Sequence, residues 1–151
     1  MTTWHLAQCN IAVANGPTDS PVMAEFMDAL DAINAAADAA SGFVWRLADD
    51  NGNLTDVRVF DDPDTLINIS TWVSIDAFRA YVYGEAHGPY VKRRREWFSK
   101  PTDLPVLVMW WVPEGTEPSA LEGRRRLELL AANGPGPEAF TFAKRFGPPA
   151  T

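Results

Sequence analysis

The residues best suited to acid–base or anion chemistry lie together between positions 86 and 98 of the 151-residue chain. If this segment forms a helix, a rotation of about 100° per residue places His87 and Arg94 on the same side as the apolar residues Tyr90 and Trp97. A buried guanidinium requires a carboxylate, a carbonyl or an anionic ligand as its partner, and an imidazole can exchange protons near neutral pH. We therefore predict His87 and Arg94 as the catalytic residues of a small-molecule pocket.

Both residues also have a structural interpretation. Buried polar groups are usually satisfied by hydrogen bonds within the protein, so His87 could bind backbone groups and Arg94 could tie a helix to a strand. In addition, Gly88-Pro89 is a suitable helix start, and His87 would then precede the helix and lie outside its period. The sequence leaves the structural and the functional interpretations open.

Two predicted strands carry polar side chains that could line the same pocket. The first runs from Trp4 to Val13 and alternates apolar residues with polar ones such as Asn10, and the second runs from Leu66 to Val73. One face of the second strand combines polar and aromatic groups, as small-molecule cavities do. A core position is the alternative for the tryptophans. We predict these substrate-binding residues: Asn10, Asn68, Ser70, Trp72, Tyr90 and Trp97.

The order of the predicted elements indicates the fold class. Helix starts are marked at Ser20-Pro21 and at Ser74, and Asn51-Gly52 marks a hairpin turn between them. Together with the strands, these signals give the order strand, helix, strands, helix and a final strand. This is the βαββαβ plan of a ferredoxin-like α+β fold, in which helices cover one face of an antiparallel sheet.

The last strand and the open face of the sheet lead to two further expectations. A predicted helix from about Pro89 to Lys100 is followed by the apolar run from Val106 to Val112, which we expect to be a central strand covered on both faces. The sheet face without helices also needs a cover. A second copy of the sheet would supply it, so we predict a homodimer with two-fold symmetry.

Residues 114–151 lie beyond this plan. A capping-box pattern at Ser119 predicts a helix that stops at Gly134. Three phenylalanines would share one side of an extended tail: Phe140, Phe142 and Phe146. We therefore divide the chain into a ferredoxin-like domain, residues 1–113, and a C-terminal helical extension and tail, residues 114–151, that packs on the same domain.

Composition and charge exclude several classes of protein. A length of 151 residues with 46% hydrophobic residues indicates one folded domain. The formal net charge of −7 argues against nucleic-acid binding, and no apolar run approaches the roughly 18 residues of a membrane span. The single cysteine, Cys9, cannot form an internal disulfide, and no Cys or His spacing matches a zinc site. We expect a soluble cytoplasmic protein without a metal site.

Six segments are distinctive in combination: residues 6–12 (LAQCNIA), 43–47 (FVWRL), 69–72 (ISTW), 87–98 (HGPYVKRRREWF), 110–113 (WWVP) and 134–142 (GPGPEAFTF). Together they resemble an uncharacterised bacterial family of the dimeric α/β-barrel superfamily, which also contains the antibiotic-biosynthesis monooxygenases. The resemblance spans nearly the whole chain. It implies that residues 1–113 form a domain of the dimeric α/β-barrel type.

The resemblance implies three functional alternatives, because one fold hosts many activities. The first is a cofactor-independent, monooxygenase-like enzyme acting on an aromatic or polyketide-type substrate. In it, His87 would deprotonate an electron-rich phenol or a related carbanion precursor, Asn10, Arg94 and Trp72 would hold the anion, and the substrate itself would activate oxygen. The second is a haem-binding protein with His87 as axial ligand and Arg94 near a propionate. The third is a non-catalytic ligand-binding protein.

Overall fold

The computed structural model describes residues 2–16, 19–47, 65–84, 93–99 and 103–149, with Arg94 and Arg95 described by their backbone alone. In chain order, the elements are β1 (Trp4–Ala14), a 3-10 turn (Pro21–Met23), α1 (Ala24–Ala39), β2 (Phe43–Arg46), β3 (Thr65–Trp72), α2 (Ile75–Val82), α3 (Arg94–Trp97), β4 (Phe98–Ser99), β5 (Leu107–Pro113) and α4 (Ala120–Asn133). The hairpin turn predicted at Asn51-Gly52 lies outside these residues. Among the described helices, none is both long and apolar enough to cross a membrane.

The five strands form one antiparallel sheet with β1 at its centre. On one side β1 pairs with β3, which pairs with β2. On the other side β1 pairs first with β5, from Trp4↔Pro113 to Asn10↔Leu107, and then with the short β4. With α1 and α2 inserted between these strands, the architecture is the ferredoxin-like α+β fold that the sequence predicts, and that prediction is confirmed.

Ser74 and Ser119 begin their helices as expected, whereas the start predicted at Ser20-Pro21 is a 3-10 turn and α1 begins at Ala24. Ser74 Oγ accepts a hydrogen bond from the Ala77 backbone N–H at 3.1 Å, and Ser119 Oγ accepts one from Glu122 N–H at 3.1 Å. Each bond satisfies a backbone donor that has no partner within the first turn. At its other end α4 stops at Gly134, whose φ of +71° suits a residue without a side chain.

The helix predicted from Pro89 to Lys100 is wrong at Phe98 and Ser99. Both residues form β4, where Ser99 pairs with Val13 and Phe98 with Ala14. The physical reason is that β1 extends past the end of β5 and leaves backbone groups there that need partners. Phe98 keeps the apolar environment that the helical period suggested, because its ring packs edge-to-face on Phe26 at 4.8 Å.

The apolar strand β5 is covered on both faces, but it is not central as predicted. β1 is the central strand, and β5 lies beside it. The outer edge of β5 is closed by the tail, since Met109 and Phe140 exchange two backbone hydrogen bonds of 2.9 Å. This bridge provides part of the edge protection that a neighbouring strand would give.

The tail phenylalanines pack against the body, and two of them make ring contacts beyond the sheet edge. Phe140 is fully buried. Phe142 stacks on Phe78 of α2 with ring centroids 5.5 Å apart, and Phe146 lies 6.0 Å from Phe140. Trp111 Nε1 donates to the Phe146 carbonyl oxygen at 2.8 Å. The tail thus runs from the edge of β5 to the face that α2 covers.

The two faces of the sheet are covered by different helices. Helix α2 packs on the face that carries Trp72, and Tyr81 of α2 donates to the Ile33 carbonyl oxygen of α1. The opposite face carries a buried apolar cluster that includes Cys9 and Ile69, and the residues of α4 that pack on it include Leu127. Strand alternation produces this division, because neighbouring residues of a strand point to opposite faces.

The expectation that a second copy must cover the open sheet face is therefore wrong in its physical basis. The chain's own helix α4 lies there, and Cys9, Ile69 and Trp110 beneath it are 0–1% exposed. Where α4 packs, the chain itself buries these residues, so their burial is not evidence for a partner chain. The homodimer itself stays a prediction, now without the argument that led to it.

Candidate functional site

A network of buried polar side chains lies on the sheet face that α2 covers. The pairing of β1 with β3 sets Gln8 opposite Ser70 and Asn10 opposite Asn68. Gln8 Nε2 donates to Asn68 Oδ1 and to Ser70 Oγ, both at 2.8 Å, and Asn10 Nδ2 donates to Gln8 Oε1 at 2.9 Å. Trp72 Nε1 donates to Ser70 Oγ at 2.8 Å. We call these five residues the amide network.

The amide network has a dry inner end and a more open outer end. Gln8 and Trp72 are 1% exposed and Ser70 is 5% exposed, whereas Asn10 and Asn68 are only partly buried. Hydrogen bonds in a dry interior are electrostatically stronger than in water, and an unpaired group there is costly. The inner residues are therefore held firmly, and the two asparagines are the members that a ligand could reach.

The indole of Trp72 closes the inner end of the network with an aromatic cluster. Tyr81 stacks on it at 5.2 Å, Phe43 packs edge-to-face at 5.4 Å, and Phe78 lies at 5.6 Å. Burial raises the pKa of Tyr81 to about 12, so its hydroxyl stays protonated at neutral pH. Trp72 thus anchors the network through its N–H, while its ring belongs to the core.

The outer end of the network presents one donor and one acceptor. Asn68 Oδ1 accepts from Gln8 and, at 3.4 Å, from Asn10 Nδ2, so Asn68 directs its oxygen into the network. Within the described ranges of the chain, Asn68 Nδ2 and Asn10 Oδ1 have no hydrogen-bond partner. Such a pair can hold a ligand oxygen that gains negative charge and a neighbouring ligand donor.

Of the other predicted site residues, the structure describes the side chain of Trp97 alone. Trp97 is 3% exposed in a cluster with Ala14 and Met23, and it makes no contact with the amide network that the described residues show. Only the backbone of Arg94 is described, as the first residue of α3. His87 and Tyr90 lie outside the described residues, so their predicted roles stay predictions, and so does haem binding through His87.

Arg93, which precedes Arg94 in the chain, forms ion pairs at the protein surface. Its guanidinium pairs with Glu25 of α1 and with Glu96, and it lies 4.7 Å from the centre of the Trp97 ring. The hydrogen bonds from Arg93 lower the pKa of both glutamates. These groups are solvent-exposed, so the contacts orient α3 against α1 without adding much stability.

Gln8 is the network residue that the sequence analysis missed. It makes three of the five hydrogen bonds described above, and it is 1% exposed, as buried as Thr71. The available signal was the period of two, which puts Gln8 on the same strand face as Asn10. A glutamine beside predicted site residues could have been included for that reason.

Elsewhere the described residues offer little that could bind a small molecule or a metal. A shallow depression of about 100 Å³ lies where α4 ends, lined by residues such as Leu129, Pro137 and Ala139, and it shares no residue with the amide network. In these same parts of the chain, no three His, Cys, Asp or Glu side chains are grouped so that they could hold a metal ion. The amide network is therefore the candidate site.

Ser70 and Thr71 are adjacent in β3 but face opposite sides of the sheet, which gives a matched pair of stability predictions. Thr71 is 1% exposed and its Oγ1 has no partner in the described part of the chain. We expect Thr71→Val to raise the free energy of unfolding by about 1 kcal/mol, because it removes an unsatisfied buried hydroxyl. We expect Ser70→Ala to lower it by about 2 kcal/mol, because two buried donors lose their acceptor.

Urea denaturation of both variants checks this pair. The two substitutions remove one hydroxyl each from neighbouring buried positions, so each serves as the control for the other. Equal losses of stability in Thr71→Val and Ser70→Ala would show that the hydrogen bonds to Ser70 contribute nothing beyond packing.

Solved structures with a similar fold come from several microorganisms. A conserved protein from Methanosarcina mazei Go1 is 9% identical, with 72% of this chain and 92% of that chain covered and a TM-score of 0.53. SnoaB, described as a cofactor-independent oxygenase from Streptomyces nogalater, is 17% identical, with 77% and 96% covered and a TM-score of 0.47. A putative antibiotic biosynthesis monooxygenase from Chloroflexus aurantiacus is 13% identical, with 76% and 97% covered and a TM-score of 0.47.

These identities are low, so the likeness concerns the fold alone. No curated protein matches the chain. The family model described as Domain of unknown function (DUF3291) matches residues 5–151, which include all of the sheet except its first residue, Trp4, and the C-terminal extension. The chain therefore belongs to the DUF3291 family.

Proposed function

We propose that the protein is a cofactor-independent, monooxygenase-like enzyme that oxidises an aromatic or polyketide-type substrate held at the amide network. The observation that carries the proposal is the pair of asparagine carboxamides, fixed by a dry inner anchor and partly open at their outer end. A pre-oriented donor such as Asn68 Nδ2 stabilises negative charge without having to reorganise during the reaction.

The proposed reaction begins with a methylene group that an aromatic ketone makes acidic. His87 takes one proton from it, and the resulting enolate oxygen accepts a hydrogen bond from Asn68 Nδ2. The enolate then reacts with O2. Overall, both C–H bonds of the methylene break, one oxygen atom of O2 becomes a new carbonyl oxygen, and the other leaves as water. The substrate supplies all the electrons, so no further reductant is needed.

Residues outside the network would complete this site. Arg94 would balance the charge of the enolate, and Tyr90 would contact the aromatic rings, as the resemblance and the helical period imply. Trp97 is buried in its own cluster and would act only by holding α3 in place. The network residues provide binding and charge stabilisation, and His87 provides the proton transfer.

Oxidation of 1,8-dihydroxyanthrone to the corresponding anthraquinone, followed by absorbance and by O2 uptake, tests the proposal. We expect turnover above the spontaneous rate, with Asn68→Ala lowering kcat about 100-fold, because one oxyanion donor is lost. Asn133→Ala, at an exposed position of α4, is the matched control and should retain full activity. We expect His87→Ala to abolish turnover while its circular dichroism and its melting temperature stay unchanged.

Two results would contradict the proposal. Turnover that is equal in the unaltered protein, Asn68→Ala and His87→Ala would show that neither residue takes part in the chemistry. Tight retention of the anthrone without its oxidation would instead support the alternative of a non-catalytic ligand-binding protein.

A further inference from the structure

We propose that Gln8 is a positioning residue that sets which atoms of Asn10 and Asn68 face the ligand, so that the site selects ligands carrying a hydrogen-bond donor beside an acceptor. This inference rests on the proposed function in one respect, because it concerns the same site. It adds a residue that does not touch the ligand and a chemical rule for what the site takes.

Gln8 uses all the hydrogen-bonding capacity of its amide nitrogen within the network. Its two N–H groups donate to Asn68 Oδ1 and Ser70 Oγ, and its oxygen accepts from Asn10 Nδ2. The side chain is 1% exposed, so water cannot replace these partners. With both asparagines in place, rotating the amide by half a turn would set oxygen against oxygen at Asn68 and nitrogen against nitrogen at Asn10, which a dry environment makes unfavourable.

Trp72 and Gln8 both donate to the hydroxyl oxygen of Ser70. An indole N–H can only donate, so its bond to Ser70 Oγ occupies one of the two acceptor sites of that oxygen. Gln8 Nε2 donates to the other. Because the nitrogen of Gln8 points towards Ser70 and Asn68, the oxygen of Gln8 is left for Asn10.

This direction fixes both asparagines in turn. Asn68 must turn its oxygen towards the Gln8 nitrogen, which leaves Asn68 Nδ2 as a donor without a partner among the described residues. Asn10 must turn its nitrogen towards the Gln8 oxygen, which leaves Asn10 Oδ1 as an acceptor that likewise has no partner among the described residues. The two carboxamides are adjacent, since Asn10 Nδ2 lies 3.4 Å from Asn68 Oδ1.

The complementary ligand edge therefore has an acceptor next to a donor. A hydroxyl beside a carbonyl, the enol of a ketone, or a lactam has this edge, whereas a ligand with acceptors alone leaves Asn10 Oδ1 unpaired. A site built to hydrogen-bond a ligand group rejects the analogue that lacks it. The same arrangement directs Asn68 Nδ2 at the ligand oxygen that becomes negative in the proposed reaction.

The test uses two inert aromatic probes, phenanthridin-6(5H)-one and its N-methyl derivative, which share the carbonyl and differ in the neighbouring N–H. Their dissociation constants are measured by fluorescence titration. We expect the unaltered protein to bind the N–H compound at least about tenfold more tightly. In Gln8→Met, which keeps the length of the side chain and removes its hydrogen bonds, we expect this ratio to fall to about one.

Two further variants separate positioning from packing. Leu6→Val shortens a fully buried neighbour on the same face of β1, and it should lower stability while retaining the binding ratio. Gln8→Leu tests the same rule if Gln8→Met does not fold. Leucine has no hydrogen-bonding atoms in its side chain, so neither asparagine is oriented by it and the preference for the N–H compound should again disappear.

The outcomes distinguish this inference from the proposed function. If the unaltered protein binds neither probe, the site itself is rejected, and the role of Gln8 with it. If the protein oxidises the anthrone but Gln8→Met and Gln8→Leu keep the binding ratio, the proposed function stands and the inference about Gln8 is overturned. If the ratio collapses in both variants but no oxidation occurs, Gln8 positions the binding groups of a site with another activity.

Discussion

Gly123→Val is expected to lower the free energy of unfolding by about 3 kcal/mol, because α4 has no room for a side chain at this position. A Cβ atom at Gly123 would lie 2.8 Å from Ile69 Cδ1 and 2.9 Å from Cys9 Sγ. Both contacts are well inside van der Waals distance, and both neighbours are completely buried in the sheet. The two methyl groups of valine would push the helix away from the sheet face.

Urea denaturation measures this loss, and Ala131→Val is the matched control. Ala131 is exposed in the last turns of α4, so Ala131→Val measures the cost of the lower helix propensity of valine without any contact with the sheet. We expect it to cost less than about 1 kcal/mol. If Gly123→Val were as stable as Ala131→Val, α4 would not lie on the sheet at this position.

A double-mutant cycle locates the close contact. Gly123→Ala adds a single methyl group, and Cys9→Ala removes the sulfur that this group would meet. We expect the double variant to be more stable than the sum of the single effects by about 1 kcal/mol, since residues in direct contact do not act independently. Independent effects would mean that the helix relieves the contact by moving.

Much of the fold could be predicted because its signals are local. The caps at Ser74 and Ser119 and the stop at Gly134 depend on neighbouring residues, and all three are present in the structure. The tail bridge between Met109 and Phe140 and the short strand at Phe98 depend on distant backbone groups, so no local pattern indicates them. A helical period alone cannot distinguish a buried helix from a short apolar strand.

The cover of the second sheet face shows the same limit. The sequence predicts α4 as a helix, but the choice of surface on which it packs depends on how Gly123 meets Cys9, more than a hundred residues earlier in the chain. A glycine within a helix usually reduces stability, and here it permits the close approach of α4. The sequence argument for a partner chain failed because it assigned no surface to this helix.

The candidate site was predictable where two neighbouring strands determine it. Alternation along each strand places Asn10 on one face of β1 and Asn68 on one face of β3, and antiparallel pairing brings them opposite each other. The role of Gln8 could not be derived from alternation, because it depends on which atoms of three side chains meet. His87 and Arg94 were predicted from a helical period that assumes one helix through residues 86–98. In the part of this segment that the structure describes, only the four residues of α3 are α-helical.

Alkaline pH is expected to destabilise the fold between about pH 9 and pH 12, because two buried groups must stay protonated. Burial raises the pKa of the Cys9 thiol from its ordinary value of 9.0 to about 12, and that of the Tyr81 hydroxyl from 10.0 to about 12. Both folded-state pKa values lie above the unfolded ones. The stabilisation is therefore complete below pH 9 and is lost as the pH rises towards 12.

The size of the effect follows from proton linkage. Between pH 9 and 10 the unfolded chain releases the Cys9 proton while the folded chain keeps it, so the free energy of unfolding should fall by about 1.4 kcal/mol per pH unit at most. Above pH 10 Tyr81 adds to this slope. Urea denaturation at pH 7, 9, 10 and 11 measures the free energy of unfolding directly.

Two variants assign the slope to its groups. In Cys9→Ala the free energy of unfolding should stay nearly constant between pH 9 and 10, because in that range Cys9 is the main source of the difference in bound protons between the folded and unfolded chains. It should decline only above pH 10, where Tyr81 begins to contribute. Tyr81→Phe should keep the early decline and lose part of the later one, at the expense of the hydrogen bond to the Ile33 carbonyl oxygen. An unchanged slope in Cys9→Ala would mean that the thiol beneath α4 reaches solvent in the folded protein, which would also contradict the close packing of Gly123 on the sheet.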